Sequence, residues 1–99
     1  MSSLLFTVHA HRSDEQALVD ALAGTAHAAI HVRRETVHGS DFSDASTSEK
    51  VSGTLDRIAL EVVIGEDALD AAVAAIGACR REYPARWMAQ PLAGSGRVA

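Results

Sequence analysis

The most constraining feature of this sequence is a stretch of alternating residues that is followed at once by a helical pattern. From Leu55 to Ile64, bulky apolar residues recur at every second position, which is the period of a half-buried β-strand. Residues 66–83 then place apolar side chains at helical spacing, with acids in the first turn, Arg80 and Arg81 in the last turn and Pro84 after it. The pattern therefore predicts a strand and then a helix that ends near residue 83.

The first half of the chain has the same order of strand and helix. Residues 4–11 form a short apolar run that predicts a strand, and Ser13 and Gln16 have the spacing of a capping box at a helix start. Residues 27–38 predict a second strand, whose charged centre is typical of a sheet edge, and residues 86–90 predict a fourth. The order β-α-β-β-α-β is that of the ferredoxin-like α+β fold, in which two helices cover one face of a four-stranded antiparallel sheet.

Composition indicates that residues 1–99 form a single domain with a thin core. Of the residues, 47% are hydrophobic, but 19 of these are alanines and only 4% of the chain is aromatic. Because each buried alanine removes little apolar area from water, we expect the chain to bury further apolar area by self-association. The sheet face left open by the helices supports this prediction, since it is too apolar to face water. It carries Thr7, His9, Ala59, Glu61 and Val63.

Two segments are predicted to lie outside the sheet and the helices. Residues 38–53 contain five serines and only two bulky apolar side chains. Loops of this length in a small domain are commonly functional or disordered. We therefore expect residues 38–53 to be a long flexible loop that meets other molecules, and residues 94–99 to be a flexible tail.

Charge and motif content exclude several classes of protein. The formal net charge is −4 and no Lys/Arg cluster exceeds two residues, which argues against nucleic acid as a partner. The single cysteine, Cys79, excludes an internal disulfide framework and a four-cysteine zinc site. No stretch approaches the roughly 20 apolar residues of a membrane span, so we expect a cytoplasmic protein with no membrane insertion. Because no catalytic motif is recognised, we predict that the protein is not an enzyme.

With this order of elements, the sequence resembles the PII-like superfamily, which includes the PII nitrogen-signalling proteins and the CutA divalent-cation tolerance proteins. The likeness is strongest to a branch of short PII-like domains of unknown function that are associated with metal-efflux systems, and it covers nearly the whole chain. The residues that carry it are His38-Gly39, the segment from Ser46 to Gly53, Trp87, Pro91 and Ser95-Gly96-Arg97.

This resemblance implies a homotrimer with ligand clefts between neighbouring subunits and a loop, here residues 38–53, that docks on a target such as a membrane transporter. It also implies that an adenine nucleotide, bicarbonate or a divalent metal is the ligand to consider. The chain departs from nucleotide-binding PII proteins between the second helix and the last strand. Those proteins have a glycine-rich segment with a lysine there, whose amides and ammonium hold phosphates. This chain has Glu82-Tyr83-Pro84-Ala85-Arg86 instead.

Two sets of candidate site residues follow. For ligand or partner binding, the resemblance and the loop position indicate His38, Gly39, Glu49, Gly53, Arg86 and Arg97. For a metal ion, His9 and His11 point to one face of the first strand because they are two residues apart. Together with His38 they support the alternative hypothesis of a trimeric, CutA-like metal-binding protein. Glu61 lies on the predicted interface face, where we expect it to pair across subunits with Arg57 or with a histidine.

Overall fold

Four strands and two helices follow one another in the predicted order. A computed structural model of the chain describes residues 2–38 and 55–99. The helices, each preceded by a short 3-10 turn, are too short to cross a membrane within these ranges. The elements are β1 (Ser3–His11), α1 (Glu15–Ala23), β2 (His31–Val37), β3 (Leu55–Gly65), α2 (Leu69–Ala78) and β4 (Arg86–Pro91).

The strands form one antiparallel sheet in the order β2-β3-β1-β4. In the middle of the sheet, Val8 of β1 pairs with Leu60 of β3 on one side and with Trp87 of β4 on the other. β2 lies at one edge, as its charged sequence predicts. The predicted ferredoxin-like α+β architecture, with both helices on one face of the sheet, is confirmed.

The core lies between the helices and one face of the sheet. Side chains of a strand alternate between its two faces, so the even-numbered residues of β1 and β3 meet the helices. Ala72 and Ile76 of α2 belong to the same core. Trp87 contacts the ring of Phe6 from the edge strand, at 5.8 Å between centroids. The largest fully buried side chains are Phe6, Val8, Leu18, Leu22, Ile58, Leu60 and Val62.

The opposite face of the sheet is covered by no element of the described ranges, and we call it the open face. The register places on it two rows of neighbours, His31, Glu61, Thr7 and Met88 in one row and Arg33, Ala59, His9 and Arg86 in the next. Thr7 and Ala59 are nevertheless buried, because longer side chains surround these small residues. Val63 and Met88 remain exposed. The residues predicted for this face are therefore on it.

α2 ends earlier than the sequence predicts. Its last residue is Ala78, and Cys79 already has extended backbone angles (φ −74°, ψ 153°). The last buried side chain of the helix is Ile76. Arg81 instead turns back and donates Nε–H to the carbonyl oxygen of Ile76 at 3.0 Å. The predicted end near residue 83 was therefore wrong.

α1 begins without the predicted capping box. Nδ1 of His11 accepts from the main-chain N–H of Ser13 at 3.2 Å, within the 3-10 turn that precedes the helix. The amide of Gln16 donates forward to Asp20 at 2.9 Å rather than back to the helix start. Asp14, which stands at the cap position, makes no capping bond because its carboxylate is used elsewhere in the fold.

Candidate functional site

A cavity of about 390 Å³ opens at one end of the open face. It lies where β2 ends and β3 begins, since Val37 lines it and pairs with Leu55. In the sequence, residues 39–54 connect these two strand ends. A volume in this range is typical of a small-molecule site. The lining residues are His9, Glu35, Val37, Arg57, Pro84, Arg86 and Met88.

A close contact between His9 and Glu35 crosses this part of the sheet. Nδ1 of His9 on β1 lies 2.5 Å from Oε1 of Glu35 on β2, although β3 runs between the two strands. The residue of β3 that pairs with His9 is Ala59, whose small side chain leaves room for the imidazole to reach across. Both side chains are partly buried, at 28% and 24% exposure, and both line the cavity.

Two arginines give the cavity a positive side. Arg57 of β3 is buried and donates to the carbonyl oxygen of Asp56 at 3.0 Å, while Arg86 is exposed at the start of β4. The planar guanidinium group binds carboxylates and phosphates through two parallel hydrogen bonds. Val37, Pro84 and Met88 supply apolar walls. The cavity therefore suits a small ligand that combines an anionic group with an apolar part.

The structure brings only some of the predicted site residues to this cavity. His9 and Arg86 meet there as paired residues of neighbouring strands. His38 is exposed and directly follows β2, and Arg97 is exposed in the segment after β4. Gly39, Glu49 and Gly53 lie outside the described residues.

Sequence reasoning missed most of the cavity wall. From the sequence alone, Glu35 is an edge charge and Arg57 a partner for Glu61, because their contacts join strands that are far apart along the chain. The signal that identifies them is the register, which places Glu35 opposite Arg57 and one row away from His9. That register cannot be fixed before β1, β2 and β3 are aligned with one another.

Glu61 finds its partner within the same chain. Its carboxylate accepts from Arg33 of β2, whereas an intersubunit pair was predicted. Arg33 pairs with Ala59 in the register, two residues from Glu61 on the same face of β3. The carboxylate therefore needs no partner from another subunit, because a charged residue of the edge strand lies close enough to reach it diagonally.

The histidines proposed as metal ligands make other contacts. His9 contacts Glu35, and the ring of His11 stacks on Tyr83 at 4.1 Å between centroids. Nδ1 of His11 also lies 2.8 Å from Oγ of Ser13. Within residues 2–38 and 55–99, no three His, Cys, Asp or Glu side chains are grouped as metal ligands. A metal site on these histidines therefore needs ligands from another copy of the chain or from residues outside these ranges.

A protein-family model matches the whole chain. The family is described as "Protein of unknown function (DUF3240)", and the match covers residues 1–99. The crystal structure of a DUF3240 family protein from Shewanella baltica is similar to this chain with a TM-score of 0.78. The two sequences are 13% identical, and the match covers 100% of this chain and 99% of the other. No curated protein matches the chain.

Two further solved structures share the fold. A putative PII-like signaling protein from Thermus thermophilus has a TM-score of 0.64 at 16% identity, over 93% of this chain and 91% of that one. Arabidopsis thaliana PII bound to citrate has a TM-score of 0.66 at 12% identity, over 92% of this chain and 78% of that one. The predicted PII-like fold is confirmed by these likenesses.

Proposed function

We propose that this chain, which belongs to the DUF3240 family, is a cytoplasmic PII-like regulatory protein. In this proposal, three copies assemble through the open face and a small ligand binds in the cavity at the base of residues 38–53. The bound ligand controls how that segment docks on a target such as a membrane transporter. The ligand is sensed and not converted, so the protein has no catalytic role.

The observation that carries the proposal is the position of the cavity. Val37 and Arg57 line it, and they stand at the ends of the two strands that flank residues 39–54. A ligand held there contacts both strands at the base of the segment. If its affinity differs between two arrangements of the segment, binding shifts the population toward one of them.

The chemistry of the cavity indicates a small anion. Arg57 and Arg86 offer guanidinium groups, and Val37, Pro84 and Met88 offer apolar contacts. The Arabidopsis thaliana PII of similar fold was solved bound to citrate, which is a small carboxylate. Adenine nucleotides and bicarbonate are the other anions that the sequence resemblance implies.

Thermal melts of the purified chain test ligand binding directly. The compounds are citrate, bicarbonate, ATP, ADP, AMP and cyclic AMP, together with Zn²⁺, Cu²⁺ and Ni²⁺. A ligand at about 100 times its dissociation constant adds roughly 2.7 kcal/mol, which is several degrees for a chain of this size. The Arg86→Ala variant should lose the shift, whereas Arg80→Ala, which removes an exposed arginine outside the cavity, should keep it. A shift that survives in both variants would place the ligand elsewhere.

Coupling to residues 38–53 has a direct readout, because Lys50 is the only lysine of the sequence. A lysine-specific protease therefore cuts the chain at one position within this segment. We expect the ligand that raises the melting temperature to change the cutting rate in the unmodified chain and in Arg80→Ala, but not in Arg86→Ala. An unchanged rate at saturating ligand would refute the coupling and leave ligand binding intact.

One observation favours the alternative of a trimeric metal-binding protein. A histidine and a carboxylate, His9 and Glu35, lie side by side in the cavity, and both are donor types that zinc accepts. The same melts distinguish the two functions. A shift with metal ions alone that disappears when His9, His11 and His38 are all changed to Ala supports the metal-binding protein. A metal shift that survives this triple change excludes these histidines as the site.

A further inference from the structure

Asp14 is a buried carboxylate that lies outside the cavity. It stands in the 3-10 turn before α1 and is only 3% exposed. Oδ1 accepts the main-chain N–H of Glu82 at 2.9 Å, and Oδ2 accepts that of Tyr83 at 3.1 Å. Each oxygen of the carboxylate therefore binds one of two consecutive amides.

The segment that supplies these amides belongs to neither a helix nor a strand. It lies between Ala78, the end of α2, and Arg86, the start of β4. Consecutive N–H groups that point to one side form a concavity that binds anions. Here the anion comes from the chain itself, from a residue 68 positions away in the sequence. The two donors are therefore occupied without any external ligand.

Two further contacts restrain Tyr83. The ring of His11 stacks on the ring of Tyr83 at 4.1 Å, and Arg81 donates to the carbonyl oxygen of Tyr83 at 3.0 Å. These contacts restrain the residue that carries one of the two amides. A preformed pair of donors binds an anion better than a mobile one, because less conformational entropy is lost on binding.

We propose that the Glu82–Tyr83 amide pair is a carboxylate-binding site that the chain fills with its own Asp14. The two oxygens of the planar Asp14 carboxylate each take one of the two adjacent donors, so the anion that the pair holds is a carboxylate. An external anion reaches the donors only if Asp14 leaves, which would strand a buried carboxylate without partners. The site is therefore closed to the phosphates of a nucleotide. This inference does not depend on the function proposed for the cavity.

Chemical rescue tests the proposal without a cavity ligand. Asp14→Ala should lower the melting temperature by roughly 5–15 °C, since two charge-assisted hydrogen bonds are lost. Sodium formate replaces the missing carboxylate and should recover part of this loss in a saturable way, as acetate should for Asp14→Gly. Sodium chloride at equal ionic strength controls for salt. Asp20→Ala, which removes an exposed carboxylate that accepts from the side-chain amide of Gln16, is the matched variant and should not respond.

Two results would overturn the proposal. The first is that formate stabilises Asp14→Ala no more than chloride does. The same holds if formate stabilises Asp14→Ala no more than formate stabilises Asp20→Ala. The other concerns the unmodified chain and needs no folded variant. Amide hydrogen exchange should be strongly slowed at Glu82 and Tyr83, and their amide chemical shifts should not move on addition of inorganic phosphate. Exchange as fast as in residues 94–97, or a phosphate-dependent shift at these two amides, would show that Asp14 does not occupy the site.

Discussion

Nδ1 of His9 lies 2.5 Å from Oε1 of Glu35 and so joins β1 to β2 across the whole width of β3. The contact is diagonal, because His9 pairs with Ala59 and Glu35 pairs with Arg57 two residues away. It ties the edge strand to the centre of the sheet beside the cavity. Both groups are partly buried. Their hydrogen bond therefore restrains the edge strand β2 close to the point where residues 39–54 begin.

A double-mutant cycle measures this contact. We expect His9→Ala and Glu35→Ala to be coupled by about 0.5–1 kcal/mol, the range for a partly exposed pair. Urea denaturation of the two single variants, the double variant and the unmodified chain gives the coupling energy. Glu66→Ala removes an exposed carboxylate directly after β3, at the opposite end of that strand from Arg57, and should show no coupling to His9→Ala. A coupling energy within error of zero for both pairs would mean that the contact does not stabilise the protein.

Arg81, and not its neighbour Arg80, is expected to stabilise the end of α2. Arg81 donates to the carbonyl oxygens of Ile76 and Tyr83, whereas Arg80 is exposed. Arg81→Ala should lower the free energy of unfolding by about 1–2 kcal/mol, because the carbonyl oxygens of Ile76 and Tyr83 lose a charged donor. Arg80→Ala should stay within about 0.5 kcal/mol of the unmodified chain. Urea titrations compare the two, and equal losses would contradict the assignment.

The sequence predicts the elements of this fold well because their periodicity is local. The alternation of apolar and other residues from Leu55 to Ile64 can be recognised in the sequence, and β3 covers the same residues and Gly65. The end of α2 was mispredicted because it depends on Asp14, which removes the amides of Glu82 and Tyr83 from any continuing helix. Contacts between such distant positions leave no local pattern.

The site was predicted only in part for the same reason, because some of its residues have a local signal in the sequence and others depend on long-range contacts. Arg86 was identified because a family resemblance gave it a position, and His9 because its spacing to His11 puts both on one face. Glu35 and Arg57 join the site only through pairing between strands. A long-range register therefore determines the cavity, and the sequence alone indicates only which residues are available for it.

The small core makes single large-to-small changes costly. Leu22 of α1 is fully buried against the sheet. We expect Leu22→Ala to lower the free energy of unfolding by about 2–5 kcal/mol, from lost burial and the cavity left behind. Since domains are stable by only about 5–15 kcal/mol, the midpoint of urea unfolding should fall markedly. Val98→Ala removes two methyl groups from a residue that is 98% exposed and is the control. A small loss at Leu22 would mean that the core repacks.

The proposed assembly through the open face can be tested with two valines that differ mainly in the face they occupy. Val63 lies on the open face and is 36% exposed, whereas Val32 lies on the helix side of the sheet and is 37% exposed. A lysine at either position should change the free energy of unfolding of a single chain by about the same amount, because both sites are equally accessible to water.

Only the open-face change should disturb the assembly, because a charge buried between subunits without a partner is strongly unfavourable. We expect light scattering to give three times the 10.4 kDa chain mass for the unmodified protein and for Val32→Lys. Val63→Lys should give a mass close to that of one chain while its circular dichroism spectrum stays folded. Loss of assembly in Val32→Lys alone would place the interface on the other face of the sheet. A single-chain mass for the unmodified protein would refute the trimer and leave ligand binding to be judged by the melts.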